Sequence, residues 1–271
     1  MKFCTAPNGN RVAYQLVGSS ATIPLVLVHG FCEDHSIWES LLPDLSSRSI
    51  ILIDMPGFGS SELPTEPTMT EYAQALLAVL DATETSKCVL IGHSMGGYAG
   101  LEFASLWPER LAGLGLFHSH PYEDSVERKN GRKRGIETLQ AGKKELYVTQ
   151  LFPNLFPKNF AEERPAILNA LIANGKKQSA AGISAALAAM LTRRDHQNTL
   201  ASPNSCPVLL LLGAQDTLVP AQQGLQAALL PMVADLHLLP AVAHMGMYEA
   251  SQESAAILNS FWQLCNSKLL G

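Results

Sequence analysis

Cys88-Val89-Leu90-Ile91-Gly92-His93-Ser94-Met95-Gly96-Gly97-Tyr98-Ala99-Gly100 is the stretch on which the reading of this chain turns. An apolar run of strand type closes at Ile91, and Gly92 to Gly96 then matches G-x-S-x-G. Small and apolar residues follow at helical spacing (Gly97, Ala99, Gly100, Leu101, Ala104). The pattern predicts strand, sharp turn and helix, with Ser94 at the apex. Such a turn lifts a hydroxyl clear of the backbone, and its tightness demands neighbours without bulk. The helix that starts beside the serine offers unpaired N–H groups and positive potential to a developing oxyanion. A bare G-x-S-x-G is a weak signal; its place between a β-run and a helix, with Gly97 added, makes it specific. The remaining chain must then supply a base, an acid and an oxyanion hole.

Working outward, buried-strand runs stand on both sides. Leu25-Val26-Leu27-Val28, Ile50-Ile51-Leu52-Ile53, Leu111 to Phe117 and Pro207 to Leu212 are continuous apolar runs, as parallel strands covered on both faces require. Residues 1–18 alternate around Asn8-Gly9 and read as an edge hairpin. Leu236 to Leu239 reads as a short last strand. Helices are expected near Ser36 to Leu45, from a cap at Thr70 to about Ala82, over Ala221 to Leu230, and from about Tyr248 to Leu269. Residues 121–201 carry no strand-like run. The expected fold is therefore α/β: a doubly wound, mostly parallel sheet with a helical cap insertion. The core is assigned to 1–120 and 202–271, and the cap to 121–201.

The candidate chemistry follows from position. Asp216 stands directly after a buried strand and His244 in the loop after the last one, on the face where doubly wound sheets bind ligands. Ser94, Asp216, His244 is the chain order expected with a nucleophile elbow. His244 would take the serine proton and return it to the leaving group, and Asp216 would fix the imidazole tautomer. The oxyanion hole is assigned to the backbone N–H groups of Met95 and Phe31, the latter in the loop after Val28. His29, Cys32, His118 and His120 are candidates for lining the substrate pocket, with His29 bracing its loop. His118, Ser119 and His120 follow a strand on the active face. Glu123 and Asp124 are alternative positions for the acid. Phe152, Phe156 and Phe160 are read as cap core or pocket wall.

The 271 residues are 47% hydrophobic and 16% charged, enough for one large domain with a sizeable core. A net charge of −5 argues against general nucleic-acid binding. The chain has no run of 18 apolar residues, so no membrane span is expected. Its first residues lack an apolar signal core, and five widely spaced cysteines suggest neither a disulfide framework nor a zinc site. A cytoplasmic protein with no cofactor and no metal is the expectation. Charge is unevenly spread: residues 121–196 hold 13 Lys and Arg against 8 Asp and Glu, although the whole chain has 19 against 24. Arg128, Lys129, Arg132, Lys133 and Arg134 fall within seven positions. They form either a solvated helix face or a basic lid that attracts an acidic substrate or an acidic carrier protein.

With these motifs in place, the chain resembles the α/β-hydrolase superfamily along almost its whole length. The resemblance rests on His29-Gly30-Phe31, Asp54-Met55-Pro56-Gly57-Phe58-Gly59, Gly92 to Gly97, Asp216 and His244. It implies the fold, the triad and a helical cap over the pocket. It does not fix a substrate. A serine nucleophile sets the chain apart from the haloalkane dehalogenase and epoxide hydrolase branches, which use aspartate. The leading expectation is a serine hydrolase that cleaves a carboxylic ester or thioester through an acyl-enzyme. The basic cap makes it similar to pimeloyl-carrier-protein methyl ester esterases. A triad-based lyase or C–C bond hydrolase, a cofactor-free perhydrolase, and a non-catalytic ligand-binding member of the fold are the alternatives.

Overall fold

The computed structural model describes residues 1–18, 23–45, 49–203 and 205–267. Eight strands form one sheet in the order β1-β2-β4-β3-β5-β6-β7-β8. β1 (Lys2–Thr5) and β2 (Arg11–Val17) pair antiparallel as the hairpin, and β2 pairs antiparallel with β4 (Ile50–Ile53). β3 (Leu25–Val28), β4, β5 (Cys88–His93), β6 (Leu111–Phe117), β7 (Val208–Gly213) and β8 (Ala234–Leu239) run parallel. Every residue of β3, β4, β5, β6 and β7 is buried, which is why these segments read as unbroken apolar runs. β8 alternates in burial, because it is the last strand of the sheet and has one exposed face.

The chain steps outward from β3 to β4 and then returns across β3 to form β5. The order therefore reverses between β3 and β5, and a crevice opens at their carboxyl ends. The loops carrying Phe31 and Ser94 leave from these two strands. Asp216 and His244 leave the same edge after β7 and β8.

α1 (Met69–Ala82) and α2 (Met95–Leu106) pack on each other beside the sheet, and α9 (Ala221–Ala227) follows β7. Between β6 and β7 stand α3 (Val126–Gln140), α4 (Lys144–Leu151), α5 (Phe160–Glu163), α6 (Pro165–Lys177), α7 (Ala180–Leu191) and α8 (Gln197–Leu200). α10 (Gly246–Glu249) and α11 (Ser251–Ser267) end the described chain. Among the described residues no helix is long and apolar enough to cross a membrane.

Several boundaries differ from the sequence expectation. The helix expected over 36–45 is two 3-10 turns, His35–Trp38 and Leu42–Leu45. Pro43 lacks the N–H that a continuous helix would use there, and Asp34 caps the first turn by accepting the Ser36 N–H at 3.0 Å. Thr68, not Thr70, caps α1, accepting from Glu71 N–H; the Thr70 hydroxyl instead donates to Glu102. β8 begins at Ala234 rather than Leu236, and α9 stops at Ala227 rather than Leu230. The final helix is interrupted at Ala250, where the Ala250 N–H closes α10 onto Gly246 O; the expected end at Leu269 lies outside the described residues.

Candidate active site

Ser94 sits at the turn from β5 into α2 with φ 49° and ψ −111°. A side chain at this left-handed φ costs about 1–3 kcal/mol, so the surroundings must hold it there. They do so through its backbone. Ser94 N–H donates to Phe117 O (3.0 Å), and Ser94 O accepts from Gly97 N–H (3.0 Å) and the Ser119 hydroxyl (2.8 Å). Glycine is required because the turn closes on itself. A Cβ at Gly92 would strike the Gly96 backbone, and one at Gly96 would strike Val28 O and lie 2.7 Å from His29 O. The first turn of α2 is thereby pressed against the end of β3, next to the loop that carries Phe31. Met95 opens α2, so its N–H has no acceptor within the helix.

His244 is 3% exposed, and its Nδ1 meets Asp216 Oδ2 at 2.7 Å. The other Asp216 oxygen, Oδ1, accepts from Leu218 N–H (2.8 Å) and Val219 N–H (2.9 Å). Burial pushes this carboxyl up, but the charge and hydrogen bond of His244, then His118 and the Val219 N–H, bring it down to about 2. Asp216 is therefore ionised at neutral pH and can stabilise an imidazolium. With Nδ1 engaged, Nε2 is the ring nitrogen left for proton transfer. The His244 loop is itself pinned: its N–H donates to Leu155 O, between β6 and β7 (3.0 Å), and the Glu249 carboxylate accepts from Ala243 N–H (2.7 Å) and Met245 N–H (2.8 Å).

Ser94 and His244 open into one cavity of about 560 Å³, with Phe31 on its wall. Its apolar wall comes largely from the segment between β6 and β7: Tyr147, Leu151, Leu155, Leu187 and Met190. Arg128, Arg132 and Arg134 of α3 line it as well. Arg132 is not a free cation, since it pairs with buried Asp124, which also binds Arg193 at 2.7 Å. Arg193, 6% exposed, lies 4.0 Å over the Tyr98 ring at the pocket wall. Arg128 donates to Leu218 O, and Lys129 pairs with Glu123. Asp124 is thus occupied by two arginines, and it is Asp216 that faces His244.

The structure corrects the four candidate pocket residues. His29, Cys32, His118 and His120 are all buried, and none lines the cavity. His29 is used up within its loop: Nδ1 donates to Gly30 O (2.7 Å), and Nε2 accepts from Met55 N–H (2.9 Å). Burial, reinforced by Glu33, pushes the Cys32 thiol up, so it stays protonated. His118 stands behind the Asp216–His244 pair with Nδ1 3.7 Å from Asp216, and burial together with His244 holds it neutral, well below its ordinary value. His120 packs against Tyr98 and Tyr122, and burial plus the Arg193 charge lower it to about 3. Of the three phenylalanines at four-residue spacing, Phe156 and Phe160 stack on each other at 3.9 Å. All three are buried in the hydrophobic core, away from the cavity.

A sequence profile described as the alpha/beta hydrolase family matches residues 25–257. The chain belongs to that family. It is a hydrolase by this membership, and its relatives include hydrolases and esterases. The 2-hydroxymuconate semialdehyde hydrolase of Pseudomonas sp. strain CF600 is 27% identical over 90% of this chain and 88% of its own. The dihydrolipoyllysine-residue acetyltransferase component of the acetoin cleaving system of Pseudomonas putida is 29% identical over 89% of this chain, which spans 63% of that protein. Among solved structures, a thermophilic esterase from Thermogutta terrifontis superposes with a TM-score of 0.91 at 26% identity, covering 98% of both chains.

Glu33 and Arg193 line or brace the pocket and escaped sequence reading. Glu33 lies only two positions past Phe31, yet it stands beside Asp34 in a loop, and nothing periodic or in a motif marks which of the two reaches the site. Arg193 is one of 13 basic residues in its segment, and nothing in the pattern sets it apart from the exposed ones.

Proposed function

We propose that this hydrolase cleaves a carboxylic ester or thioester through an acyl-enzyme formed on Ser94. The observation that carries this reading is the 2.7 Å contact of Asp216 with His244 Nδ1, in one cavity with a serine held at a left-handed turn. His244 Nε2 takes the Ser94 proton as the hydroxyl attacks the carbonyl. The N–H groups of Phe31 and Met95 receive the oxyanion, each worth about 3 kcal/mol of transition-state stabilisation. The leaving group departs with the proton from His244, and water activated by the same nitrogen releases the acid. Esterase action is supported by the esterase from Thermogutta terrifontis, a solved relative that superposes closely on this chain.

The cavity suits a medium-sized substrate. Its apolar wall favours an acyl or alcohol part of several carbons, and Arg128 and Arg134 on its lining favour a negative group. An acidic carrier protein has less to hold than the basic run suggested, because Arg132 is already paired with Asp124. Lys133 and Arg134 are exposed and remain available for it. The deciding experiment is an ester panel graded in chain length and charge, with Ser94→Ala as control and fluorophosphonate labelling of Ser94. Unlabelled Ser94, or an Ser94→Ala variant with wild-type turnover, refutes the acyl-enzyme. The 2-hydroxymuconate semialdehyde hydrolase among the relatives motivates a second reading, hydrolysis of a C–C bond in a dienoic keto acid. Turnover of such a substrate with no ester in the panel hydrolysed would select it.

A further inference from the structure

A second acid–histidine pair lies beneath the triad. Glu33 and His93 are each 1% exposed. Glu33 Oε2 accepts from Gly30 N–H (2.8 Å) and meets His93 Nδ1 at 3.1 Å. On the other side of the ring, His93 Nε2 meets the backbone oxygen of His244 at 3.0 Å. We propose that Glu33 and His93 form a buried carboxylate–imidazolium pair that positions the oxyanion loop, the nucleophile turn and the catalytic histidine relative to one another. The proposal rests on the acyl-enzyme reading for what is being positioned.

Connectivity carries the argument. Gly30 leads directly into Phe31, the assigned oxyanion donor. His93 precedes Ser94. The His244 carbonyl belongs to the base itself. One hydrogen-bonded chain therefore touches all three catalytic loops, which come from residues far apart in sequence. The fit is tight, since a Cβ at Gly30 would lie 2.5 Å from His93 Nδ1 and 2.7 Å from Glu33 Oε2. Aromatic edges of Trp38 and Phe117 close the sides of the ring at centroid distances of 6.5 and 6.1 Å.

The protonation state follows from the partners. A carbonyl only accepts, so Nε2 must carry hydrogen. A carboxylate opposite Nδ1 requires hydrogen there too, which makes the ring an imidazolium. Burial opposes charge on both groups. It is outweighed on Glu33 by the charge and hydrogen bond of His93, then by His29 and the Gly30 N–H, so the carboxyl is lowered. On His93 it is outweighed by the charge and hydrogen bond of Glu33, then by the His244 carbonyl and Asp216, so the imidazole is raised. The titratable groups around His93 are Glu33, His118, His244 and Asp216. Tyr248, Asp34, Cys32 and His29 act on the Glu33 side.

The test combines two readouts on the full chain. Nitrogen-15 spectra of histidine-labelled protein should show a ring with both nitrogens protonated at neutral pH that disappears in His93→Gln. A singly protonated His93 overturns the pair, whatever the reaction is. The second readout is the rate of Ser94 labelling by a fluorophosphonate, beside kcat and KM on an ester. Glu33→Ala should slow labelling and kcat by about 10²-fold with KM unchanged, the scale of a misplacement near 1 Å. Glu33→Gln can put its amide oxygen where Oε2 stands and accept from both Gly30 N–H and the Nδ1–H of a neutral His93, so it should recover part of the rate. It should also lose the alkaline decline that the wild type shows as His93 gives up its proton. Wild-type labelling in Glu33→Ala, or equal defects in Ala and Gln, overturns the positioning role. Absence of labelling in the wild type refutes the acyl-enzyme reading instead, while the spectra still report on the pair.

Discussion

Replacing Asp216 by Asn tests the geometry at its most constrained point. Two backbone N–H groups, from Leu218 and Val219, point at Oδ1. In the variant they must be met by the amide oxygen, since an NH2 group there would face donors with donors. The amide nitrogen is then forced opposite His244 Nδ1. It donates, so Nδ1 must accept, and the imidazole carries its hydrogen on Nε2. The nitrogen that should take the Ser94 proton is thereby blocked. A tautomer error of this kind costs about 10⁴ in kcat, or about 5 kcal/mol of barrier. Stability gives an independent readout. A carboxyl lowered from 3.8 to about 2 contributes about 2.5 kcal/mol to folding at neutral pH. The folded value is the lower one, so this contribution is complete above the unfolded value and disappears as pH falls through about 2. Urea unfolding of the two proteins should therefore differ by up to about 2.5 kcal/mol at pH 7, and the difference should shrink steadily below pH 4. Stopped-flow acylation measures the kinetic part. An Asn variant that keeps more than a tenth of wild-type kcat would refute the assignment, as would an equal kinetic loss in Asp124→Asn.

Ser94→Ala should reduce ester turnover to the rate supported by binding and the oxyanion donors alone, and abolish fluorophosphonate labelling without changing the unfolding free energy by more than about 0.5 kcal/mol. Gly96→Ala places a methyl group against Val28 O and His29 O; backbone cannot yield as a side chain can, so a loss of about 1–3 kcal/mol is expected in urea unfolding, together with a fall in kcat from the displaced turn. Asp124→Asn leaves Arg193 buried without its carboxylate and should cost about 3–5 kcal/mol, seen as a lower melting temperature. Exchanging Arg134 for Glu should weaken turnover of negatively charged esters while sparing neutral ones, and kcat/KM for the charged esters should lose its salt dependence.

The parallel sheet was legible because its strands are buried on both faces and read as apolar runs between turn signals. Ser94 was legible because it follows a buried apolar run directly, and Asp216 and His244 because they stand three and five residues past the ends of β7 and β8, so strand ends place them on one edge without tertiary information. Local rules failed where a single residue redirected the chain. Pro43 broke an expected helix into two turns, and Thr68 took the cap assigned to Thr70. The pocket residues were misjudged for a different reason. A position at a strand end fixes which edge of the sheet a residue occupies, but not whether its side chain points into the crevice or back into protein. His118 and His120 point into protein, and they are buried and neutral as a result.

Sequence by itself determined the fold and the sharp turn that carries Ser94, because buried strands and the glycine-flanked turn are encoded in contiguous residues, and it placed Asp216 and His244 after the last two strands. Only the tertiary structure decided that Arg132 is neutralised by Asp124, that the backbone carbonyl of Leu155 holds His244, and that Glu33 reaches His93 across 60 positions and His93 reaches His244 across 151. Such contacts depend on how separate loops converge after the sheet has closed. No local pattern encodes that convergence, and it sets the shape and charge of what reaches Ser94.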